Sequence, residues 1–450
     1  MHRVIRNNLG QDPAFRQFAE KSFRAFPESL SMQAYRDYNL QRTIHYAYER
    51  SSFYRERFQS NGLTPKDIPG FEGLERFPLT EPSHLSLNPE HFLCTSQSEI
   101  ARPCVFVTSG TTGPQKRIYW SDWDIDRITD FMSAGISTVA NAGDTVQILL
   151  PDCGPDSQAD LLRQGVEKLG VRPIVSGIEQ SASEQMSILE KFHSTVIFGY
   201  ASHIYRMTKE LQKHHNLQLK GVRVLFLAGE YIPEARRREL EAAWGCSVRT
   251  HYGLTEMGLG VAVECDSADG YHFNEADLMV EIIDPDTEDR VPPGEEGELI
   301  FTTLTRQAMP LIRYRTHDYS RLLKGPCSCG VKILQKIDFI RKRLDTIIKL
   351  SNGEEIYPVL FDELLYGFPE IVDYRVKLQN GKIGEQLSFQ IEISDGNETV
   401  LSGIRNTLFN APVIADNMAS ETLEAPELEF VAKGHLESTN RAKKVILDCR

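Results

Sequence analysis

Long apolar runs are missing from this sequence. No stretch approaches the roughly eighteen consecutive apolar residues that cross a bilayer as a helix. The first residues, Met1 to Arg6, lead into polar sequence and not into the apolar core of a signal peptide. We therefore expect a soluble, cytoplasmic protein that does not act on a membrane.

Basic charge and cysteine are also scarce. The chain carries 50 Lys and Arg residues against 63 Asp and Glu, a net charge of −13, whereas proteins that bind nucleic acid usually have a basic surplus or a basic face. Eight cysteines in 450 residues exclude a disulfide scaffold. The surroundings of Cys94 and Cys246 are typical of reduced core thiols. We expect no nucleic-acid partner, while local cations still allow a small anionic ligand.

The length and pattern of the chain indicate an α/β protein. At 450 residues, 41% of them hydrophobic, it can bury two cores, and it has no internal repeat or low-complexity tract. Short β-rich apolar runs alternate with helical patterns, which predicts a largely parallel sheet with ligands beyond the carboxyl ends of its strands. The predicted strands are 145–150, 173–176, 195–198 and 222–227. After Val280, turn-separated strands predict antiparallel sheet.

A loop of small residues stands out between residues 107 and 117. Glycines let the backbone approach an anion, hydroxyl groups add donors, and a lysine adds charge. The loop therefore predicts a nucleotide-phosphate site, and its residues are Thr108, Ser109, Gly110, Thr111, Thr112, Gly113 and Lys116. The Walker pattern G-x-x-x-x-G-K-[S/T] is not met, because Pro114-Gln115 separates Gly113 from Lys116. A solvent-exposed Ser/Thr/Gly turn is the alternative.

Three further motifs follow this loop in order. They are His251-Tyr252-Gly253-Leu254-Thr255-Glu256, then Gly297-Glu298-Leu299 running on to Tyr314-Arg315-Thr316-His317-Asp318, then Ser351 to Pro358. Together with the loop they resemble the signatures of the adenylate-forming superfamily, which includes acyl-CoA synthetases, peptide-synthetase adenylation domains and luciferases. The resemblance is strongest to the phenylacetate-CoA ligase branch. It is carried by the sequences of segments 301–305 and 310–316, and of 45–58 near the N-terminus. The resemblance covers nearly the whole chain.

The resemblance implies a fold of two parts. Residues 1–341 would form a large, multi-subdomain adenylation domain with mostly parallel sheets that binds ATP and the acid. Residues 342–450 would form a small, mobile α+β lid, and the pattern of this part predicts strands at 346–350 and 387–393 and a helix near 400–410. The family places a Gly-Arg-x-Asp-Asp hinge motif near the boundary, and of the aligned residues Arg341 to Asp345 only the last keeps its type. A homodimer is left open.

The resemblance also implies an activity. The chain would use ATP and Mg²⁺ to join a carboxylic acid of the aryl or arylalkyl class to AMP. It would then pass the acyl group to coenzyme A. Two alternatives are open: the acyl acceptor is an amine or a carrier protein, or the chain is a non-catalytic, nucleotide-binding relative. The hinge and the tail both differ from the family's patterns, so these alternatives stay open.

The family's functional residues carry over onto matching positions. The loop would grip the β and γ phosphates, a tyrosine would lie on the adenine, and a glutamate would hold Mg²⁺. An aspartate would accept the ribose hydroxyls, and arginines would support the phosphates or that aspartate. These residues are Tyr252 and Gly253 with Gly229 and Glu230 at the adenine, Glu256 with Thr255 at the metal, Asp318 at the ribose, and Arg313 and Arg315. An ordinary buried tyrosine and a solvated glutamate are the alternatives for Tyr252 and Glu256.

The acid is expected in an apolar cleft near residues 198–203. This segment resembles the family's acyl-pocket segment, and its aromatic residues suit an aryl acid. Tyr200 and His203 are the candidate substrate contacts. Simple core packing, with His203 as a satisfied polar contact, is the alternative.

The tail departs from the family. A Gly-Lys-x-x-Arg-Val pattern supplies a catalytic lysine in phenylacetate-CoA ligases, but here Asn440 and Arg441 stand at the glycine and lysine positions. Arginine is a planar fork and lysine a compact point charge, so the exchange is not conservative. Either Arg441 or Lys443 is the candidate cation for adenylation.

Four residues have the chemistry of a zinc site. Thiolates and imidazole bind Zn²⁺ tetrahedrally, and a Cys-x-Cys pair among glycines forms a knuckle-like turn. Cys265, His272, Cys327 and Cys329 are the candidates, and similar cysteines hold a structural zinc in some family members. Unmetallated cysteines in a turn are the alternative.

Overall fold

The structure is a computed structural model that describes residues 28–106, 116–151, 154–155, 157–331, 334–394, 396–436 and 445–450. None of the helices in these ranges is long and apolar enough to cross a membrane. The described residues form two compact units. Unit 1 contains the described residues up to Gly199, with Gly221–Ala228 and Arg249–Phe339. Unit 2 contains Tyr200–Lys220, Gly229–Val248 and the described part of Ile340–Arg450.

The described helices and strands are numbered here in chain order. The helices are α1 Glu28–Arg50, α2 Ser52–Ser60, α3 Phe71–Leu74, α4 Pro82–Leu87, α5 Asp122–Ile136, α6 Gln158–Lys168, α7 Ala182–Phe192, α8 Ala201–Leu211, α9 Glu234–Trp244, α10 Pro358–Leu365, α11 Glu398–Phe409 and α12 Pro412–Ala419. The strands are β1 Arg102–Phe106, β2 Lys116–Trp120, β3 Thr145–Leu149, β4 Arg172–Val175, β5 Val196–Tyr200, β6 Val224–Ala228, β7 Ser247–Tyr252, β8 Ala262–Glu264, β9 Tyr271–Phe273, β10 Leu278–Ile283, β11 Gly297–Thr303, β12 Tyr314–Ser320, β13 Lys336–Ile337, β14 Lys342–Arg343, β15 Ile348–Lys349, β16 Glu355–Ile356, β17 Ile371–Asn380, β18 Glu385–Ile393, β19 Glu427–Ala432 and β20 Ile446–Asp448.

The largest sheet has the strand order β13-β9-β8-β7-β6-β5-β3-β4. Its strand β3 pairs in parallel with both β4 and β5, while β8 pairs antiparallel with β7 and β9. Every residue of β3 and of β6 is buried, which is expected for parallel strands covered on both faces. The four predicted strands between residues 145 and 227 are confirmed, and with them the α/β class.

Helix α5 shows how the sequence specifies its own boundaries. The Ser121 hydroxyl accepts a hydrogen bond from the Asp124 backbone N–H, and the Asp124 carboxylate accepts one from the Ser121 N–H, which forms a capping box. The buried face of α5 carries Ile128 and Phe131. Gly165 of α6 lies so close to α5 that an added Cβ would stand 2.7 Å from the Cβ of Met132. The two helices therefore pack backbone against backbone.

The antiparallel sheet predicted after Val280 is confirmed. Strand β11 pairs antiparallel with β10 and with β12. The pairing of β11 with β12 is interrupted by a bulge between Glu298 and Ile300, and His317 opposite this irregularity adopts a left-handed φ of 62°. A bulge re-aims the side chains beyond it, and Asp318 is the residue that follows.

Unit 2 has a core of its own. Its sheet has the order β19-β18-β17-β20, with β17 and β18 as an antiparallel hairpin. The predicted strand at 387–393 and the predicted helix near 400–410 are confirmed as β18 and α11. The predicted strand at 346–350 is shorter, because a 3₁₀ turn occupies Leu344–Thr346 and leaves only β15.

The segments that carry α8 and α9 pack with the C-terminal sheet in unit 2. The guanidinium of Arg236 lies over the rings of Tyr366, at 3.2 Å, and Tyr205, at 4.1 Å, and it donates a hydrogen bond of 2.8 Å to the carbonyl of Val372. The predicted division into residues 1–341 and 342–450 stays a prediction. By contacts, parts of the 200–248 region join the later residues.

Candidate adenylation site

The motif around Tyr252 forms a tight turn at the end of β7. A 3₁₀ turn spans Thr255–Met257 and closes at Gly258, whose φ is 87°. A Cβ on Gly253 would lie 2.0 Å from the carbonyl oxygen of Leu259, so only glycine allows this chain reversal. The turn buries Glu256 and presents its carboxylate to β2 and β12.

Glu256 is held by a cation and a hydroxyl from two different strands. The Lys116 Nζ lies 2.7 Å from Glu256 Oε1, and the Tyr314 hydroxyl donates to the same oxygen at 2.9 Å. Lys116 also donates to the Tyr314 oxygen at 3.1 Å. Burial raises the pKa of Glu256, but the Lys116 charge together with hydrogen bonds from Lys116, its own backbone and Tyr314 holds that pKa below its ordinary value. The predicted phosphate lysine and the predicted metal ligand therefore meet, and the carboxylate is ionised.

Tyr252 and Asp318 also come together. The Tyr252 hydroxyl donates to Asp318 Oδ2 at 2.5 Å, and the Tyr252 ring stacks on Tyr271 with centroids 6.4 Å apart. Asp318 is completely buried. The predicted adenine and ribose residues are therefore neighbours, although their motifs lie far apart in sequence.

The two arginines predicted near the nucleotide contact the protein itself. Arg313 is buried and donates to Glu281 at 3.2 Å and to the carbonyls of Glu75, at 3.0 Å, and Phe77, at 2.7 Å. Arg315 pairs with Glu298 at 2.6 Å. These contacts tie β12 to its surroundings. A role of Arg313 or Arg315 toward a nucleotide stays a prediction.

Four other predicted residues lie in unit 2. Gly229 has a φ of 88°, and a Cβ there would stand 2.8 Å from the ring of Tyr200. The Glu230 carboxylate accepts the Ser202 backbone N–H at 2.5 Å, near the beginning of α8, the helix that carries His203. Burial raises the pKa of Tyr200. Gly229, Glu230, Tyr200 and His203 are thus grouped in one turn-and-helix region.

The four zinc candidates converge in unit 1. Their ligand atoms all lie within 4.8 Å of one another, with 3.5 Å between the sulfurs of Cys265 and Cys327 and 3.3 Å between Cys329 Sγ and His272 Nε2. His272 Nδ1 lies 3.2 Å from the Gln335 carbonyl. Because a carbonyl only accepts, Nδ1 carries the proton and Nε2 directs its lone pair at the thiols.

The environment of this cluster stabilises a thiolate. Burial alone would raise the pKa of Cys327, but hydrogen bonds, first among them one from Ser267, lower it to about 5. The Lys336 ammonium stands 3.2 Å from the Cys327 sulfur. Cysteine binds metals as the thiolate, so the cluster has the donor set and the charge environment of a metal site.

Unit 1 also contains an apolar cavity that the sequence did not predict. It is bounded by Phe131, Leu162, Phe198, Phe226, His251 and Val263, among others. Phe198 belongs to the segment expected to bind the acid, but Tyr200 and His203 are not among the described lining residues. The reason is local: Tyr200 is the N-cap of α8, and its ring lies on Gly229. No short sequence motif marks the cavity, because its walls come from α5, α6 and four strands.

Arg306 is a further residue that the sequence did not indicate. It donates a hydrogen bond to the carbonyl of Glu256 and lines a second cavity, whose walls include Asp124, Arg127 and Asp277. It thereby supports the turn that carries Glu256. It lies between the segments 301–305 and 310–316, but nothing in one sequence distinguishes it from a surface arginine.

The loop residues Thr108, Ser109, Gly110, Thr111, Thr112 and Gly113, and the tail residues Arg441 and Lys443, lie outside the described residues. Their predicted roles stay predictions. Thr255 begins the 3₁₀ turn that carries Glu256, and its predicted place beside the metal stays a prediction.

Fold and site together define an AMP-binding enzyme. The family model for AMP-binding enzymes matches residues 103–305. The chain is 31% identical over 381 residues to the phenylacetate-coenzyme A ligase of Aromatoleum evansii, covering 82% of this chain and 83% of that protein. It is 29% identical over 374 residues to the phenylacetate-coenzyme A ligase of Thermus thermophilus, covering 81% and 82%. The chain belongs to the phenylacetate-coenzyme A ligase family of adenylate-forming enzymes.

Solved structures agree on the fold. A 2-hydroxyisobutyryl-CoA ligase in the postadenylation state, in complex with 2-HIB-AMP, superposes with a TM-score of 0.81 at 20% identity, covering 94% of this chain and 91% of that one. The anthranilate CoA ligase AuaEII in complex with anthranoyl-AMP superposes with a TM-score of 0.55 at 16% identity, covering 91% and 79%. The expectation of an adenylate-forming fold is confirmed.

Replacing Lys116 by Met is expected to destabilise the protein at neutral pH. The change leaves the Glu256 carboxylate buried without its cation, a loss on the order of 3 kcal/mol for a largely buried pair. The pKa of Glu256 is lowered in the folded protein, so its stabilisation is present above the ordinary value of 4.5 and is lost as the pH falls through the folded pKa. The difference in melting temperature between Lys116→Met and the wild type should therefore be large at pH 7 and shrink below pH 4.5.

Arg163→Met is the matched control. Arg163 forms half-exposed pairs with Asp160 and Glu167 on α6, and such surface pairs contribute about 1 kcal/mol or less. A Lys116→Met protein as stable as this control at pH 7 would contradict the view that the pair anchors Glu256.

Proposed function

We propose that this chain uses ATP to convert an aryl or arylalkyl carboxylic acid into an acyl-adenylate and then transfers the acyl group to coenzyme A. In the first step a carboxylate oxygen bonds to the α-phosphorus and pyrophosphate leaves. In the second step the thiol of coenzyme A attacks the acyl carbon and AMP leaves. The observation that carries the proposal is the pairing of family signature residues: Lys116 with Glu256, and Tyr252 with Asp318.

The residues at Glu256 fit a magnesium ion. Mg²⁺ prefers oxygen ligands and is usually bound by one or two carboxylates together with substrate phosphates, and Glu256 is an ionised carboxylate beside a lysine. When bound, Mg²⁺ would neutralise charge on the phosphates. Lys116 would share its charge between Glu256 and a phosphate, and the Tyr314 hydroxyl would orient the carboxylate.

The remaining roles are those that the family resemblance implies. The loop of Thr108 to Gly113 would supply backbone donors to the phosphates, and Asp318, aligned by Tyr252, would accept the ribose hydroxyls. Gly229 and Glu230 would line the adenine. Arg441 or Lys443 would supply the tail cation. The apolar cavity beside Phe198 supports an aromatic acid, since it offers a ring mostly apolar walls.

We also propose a cytoplasmic location, supported by the buried thiol of Cys94, which forms no disulfide. The homodimer left open by the sequence stays open.

Exchange of labelled pyrophosphate into ATP with a panel of aryl and arylalkyl acids tests the first half-reaction. We expect at least one acid to support exchange and, with coenzyme A added, to yield a thioester and AMP. An acid that supports exchange but yields no thioester would indicate an amine or carrier-protein acceptor. No exchange with any acid, from protein whose melting temperature ATP raises, would overturn the proposal in favour of a non-catalytic nucleotide binder.

Glu256→Gln is expected to lower the rate of pyrophosphate exchange by about a hundredfold to a thousandfold, because a charged group is lost where transition-state charge develops. The loss should be largest at limiting Mg²⁺, and ATP should still bind. Glu427→Gln, at an exposed position on β19, is the control and should keep the wild-type rate. A wild-type rate for Glu256→Gln at limiting Mg²⁺ would show that Glu256 is not the metal ligand.

We further propose that Cys265, His272, Cys327 and Cys329 bind one structural zinc ion. Three thiolates and one imidazole match its tetrahedral preference. They would leave the site with one negative charge, and Lys336 stands beside Cys327 to balance it. The site would connect the segment after β8 with the turn before β13.

Elemental analysis of freshly purified protein should find about one zinc per chain, as a site of four protein ligands implies. Cys329→Ser should lose zinc and melt at a lower temperature, whereas Cys246→Ser, outside the cluster, should keep both. Wild-type protein without zinc, and with a melting temperature that neither zinc nor a chelator changes, would refute the site.

A further inference from the structure

The carboxylate of Glu256 already has a cation from the chain itself. Lys116 Nζ lies 2.7 Å from Glu256 Oε1, and the Tyr314 hydroxyl donates to the same oxygen at 2.9 Å. The lysine side chain is 17% exposed and the glutamate side chain 10%, so the pair is screened much less than one on the surface. The carboxylate proposed to bind Mg²⁺ is therefore neutralised by a neighbouring ammonium group.

Tyr314 fixes the place of this ammonium group. Lys116 donates to the Tyr314 oxygen at 3.1 Å, and its Nζ lies 5.9 Å from the centre of the Tyr314 ring. Tyr314 is the first residue of β12 and is almost completely buried. The lysine is thus held beside Glu256 by a rigid neighbour as well as by charge.

A second cation contacts the same glutamate. The Arg306 guanidinium donates to the backbone carbonyl of Glu256. Two further carboxylates line the cavity of Arg306, but both have other partners. Asp124 accepts two backbone N–H groups, and Asp277 pairs with Arg127. Glu256 therefore contacts two cations, one at its carboxylate and one at its carbonyl.

These surroundings disfavour a metal ion that arrives alone. Mg²⁺ carries two positive charges, and repulsion between cations is strong where the effective dielectric constant is low. Mg²⁺ also loses its hydration water reluctantly and is usually bound by one or two carboxylates together with substrate phosphates. Glu256 offers one carboxylate, which Lys116 already neutralises. A phosphate would change this balance, because it gives the metal oxygen ligands and gives Lys116 another anion.

We infer that Lys116 is a resident counter-ion of Glu256 that keeps Mg²⁺ from binding before the nucleotide. Lysine is a compact charge on a flexible four-carbon chain, so rotation of the Lys116 side chain would carry its charge from Oε1 to a phosphate. The carboxylate would then become available to the metal only when phosphate is present. The inference rests on the proposed function and adds an order of binding to it.

The test measures the binding of a metal ion alone, without ATP or acid. Mn²⁺, which shares the preference of Mg²⁺ for oxygen ligands, is titrated and followed by electron paramagnetic resonance. Lys116→Met should bind Mn²⁺ at least about tenfold more tightly than the wild type, because its buried carboxylate has lost its cation. MgCl₂ should likewise raise the melting temperature of Lys116→Met, but not that of the wild type, relative to KCl of equal ionic strength.

Four further variants assign this effect to the charge at Glu256. Lys116→Arg keeps the charge and should bind no more Mn²⁺ than the wild type, whereas adding Glu256→Gln to Lys116→Met should abolish the new site. Arg163→Met removes the cation from the surface carboxylates of Asp160 and Glu167 and should behave as the wild type, since exposed carboxylates stay hydrated. Lys116→Gln removes the charge but keeps a hydrogen-bonding group, and it replaces Lys116→Met if that variant does not fold.

The outcomes are independent of acid activation. Folded Lys116→Met or Lys116→Gln protein that binds Mn²⁺ no more tightly than the wild type would overturn the inference. A new site that persists when Glu256→Gln is added would also overturn it, because the metal would then bind elsewhere. Since these titrations contain neither acid nor ATP, they decide the role of Lys116, whereas a lack of pyrophosphate exchange with any acid would refute the proposed function.

Discussion

The ion pair between Lys116 and Glu256 is the interaction on which the site depends. A carboxylate is buried at the end of β7, where it would be unstable alone, and it is kept ionised by a lysine from β2 and a hydroxyl from β12. The lysine, the glutamate and the tyrosine are residues 116, 256 and 314. Their contacts therefore require that three separate parts of unit 1 come together. The same arrangement leaves a negative charge and a positive charge side by side, as the proposed sites of a nucleotide phosphate and a magnesium ion require.

Apart from this ion pair, the groups with chemical roles lie in three separate environments. Tyr252 and Asp318 form a short hydrogen bond in a buried position at the strand end, the thiol and imidazole groups form a separate cluster near β9 and β13, and the apolar cavity lies between α5, α6 and the large sheet. Arg313, by contrast, binds only the protein itself among these contacts. It donates hydrogen bonds to Glu281 and to two carbonyls, and these bonds hold the beginning of β12 in place. Charged residues of one motif thus divide into those that hold the scaffold and those that face the site.

Much of the fold was predictable from local pattern. Strands β5 and β6 are apolar runs, and β3 is apolar apart from Thr145 and Gln147, because both faces of the sheet are covered. The capping residues Ser121 and Asp124 mark the beginning of α5. The convergence of Cys265, His272, Cys327 and Cys329 was likewise predictable, since metal-binding chemistry restricts the residue types. The roles of Arg313 and of the acid-contacting residues were harder, because an arginine or a tyrosine serves equally well in a core and in a site.

The sequence by itself determined the class of the protein and the identity of its chemical groups. Glycines at Gly253 and Gly258, the acid at Glu256 and the cation at Lys116 are specified residue by residue, because turn geometry and charge are local properties. Only the tertiary structure decided the partners: that Lys116 faces Glu256, that Tyr252 reaches Asp318, and that His251 lies between Phe198 and Phe226 on a cavity wall. These pairings depend on strand order and on a bulge in β12's pairing, which are set by packing between residues far apart in the chain, and no local pattern encodes such distances.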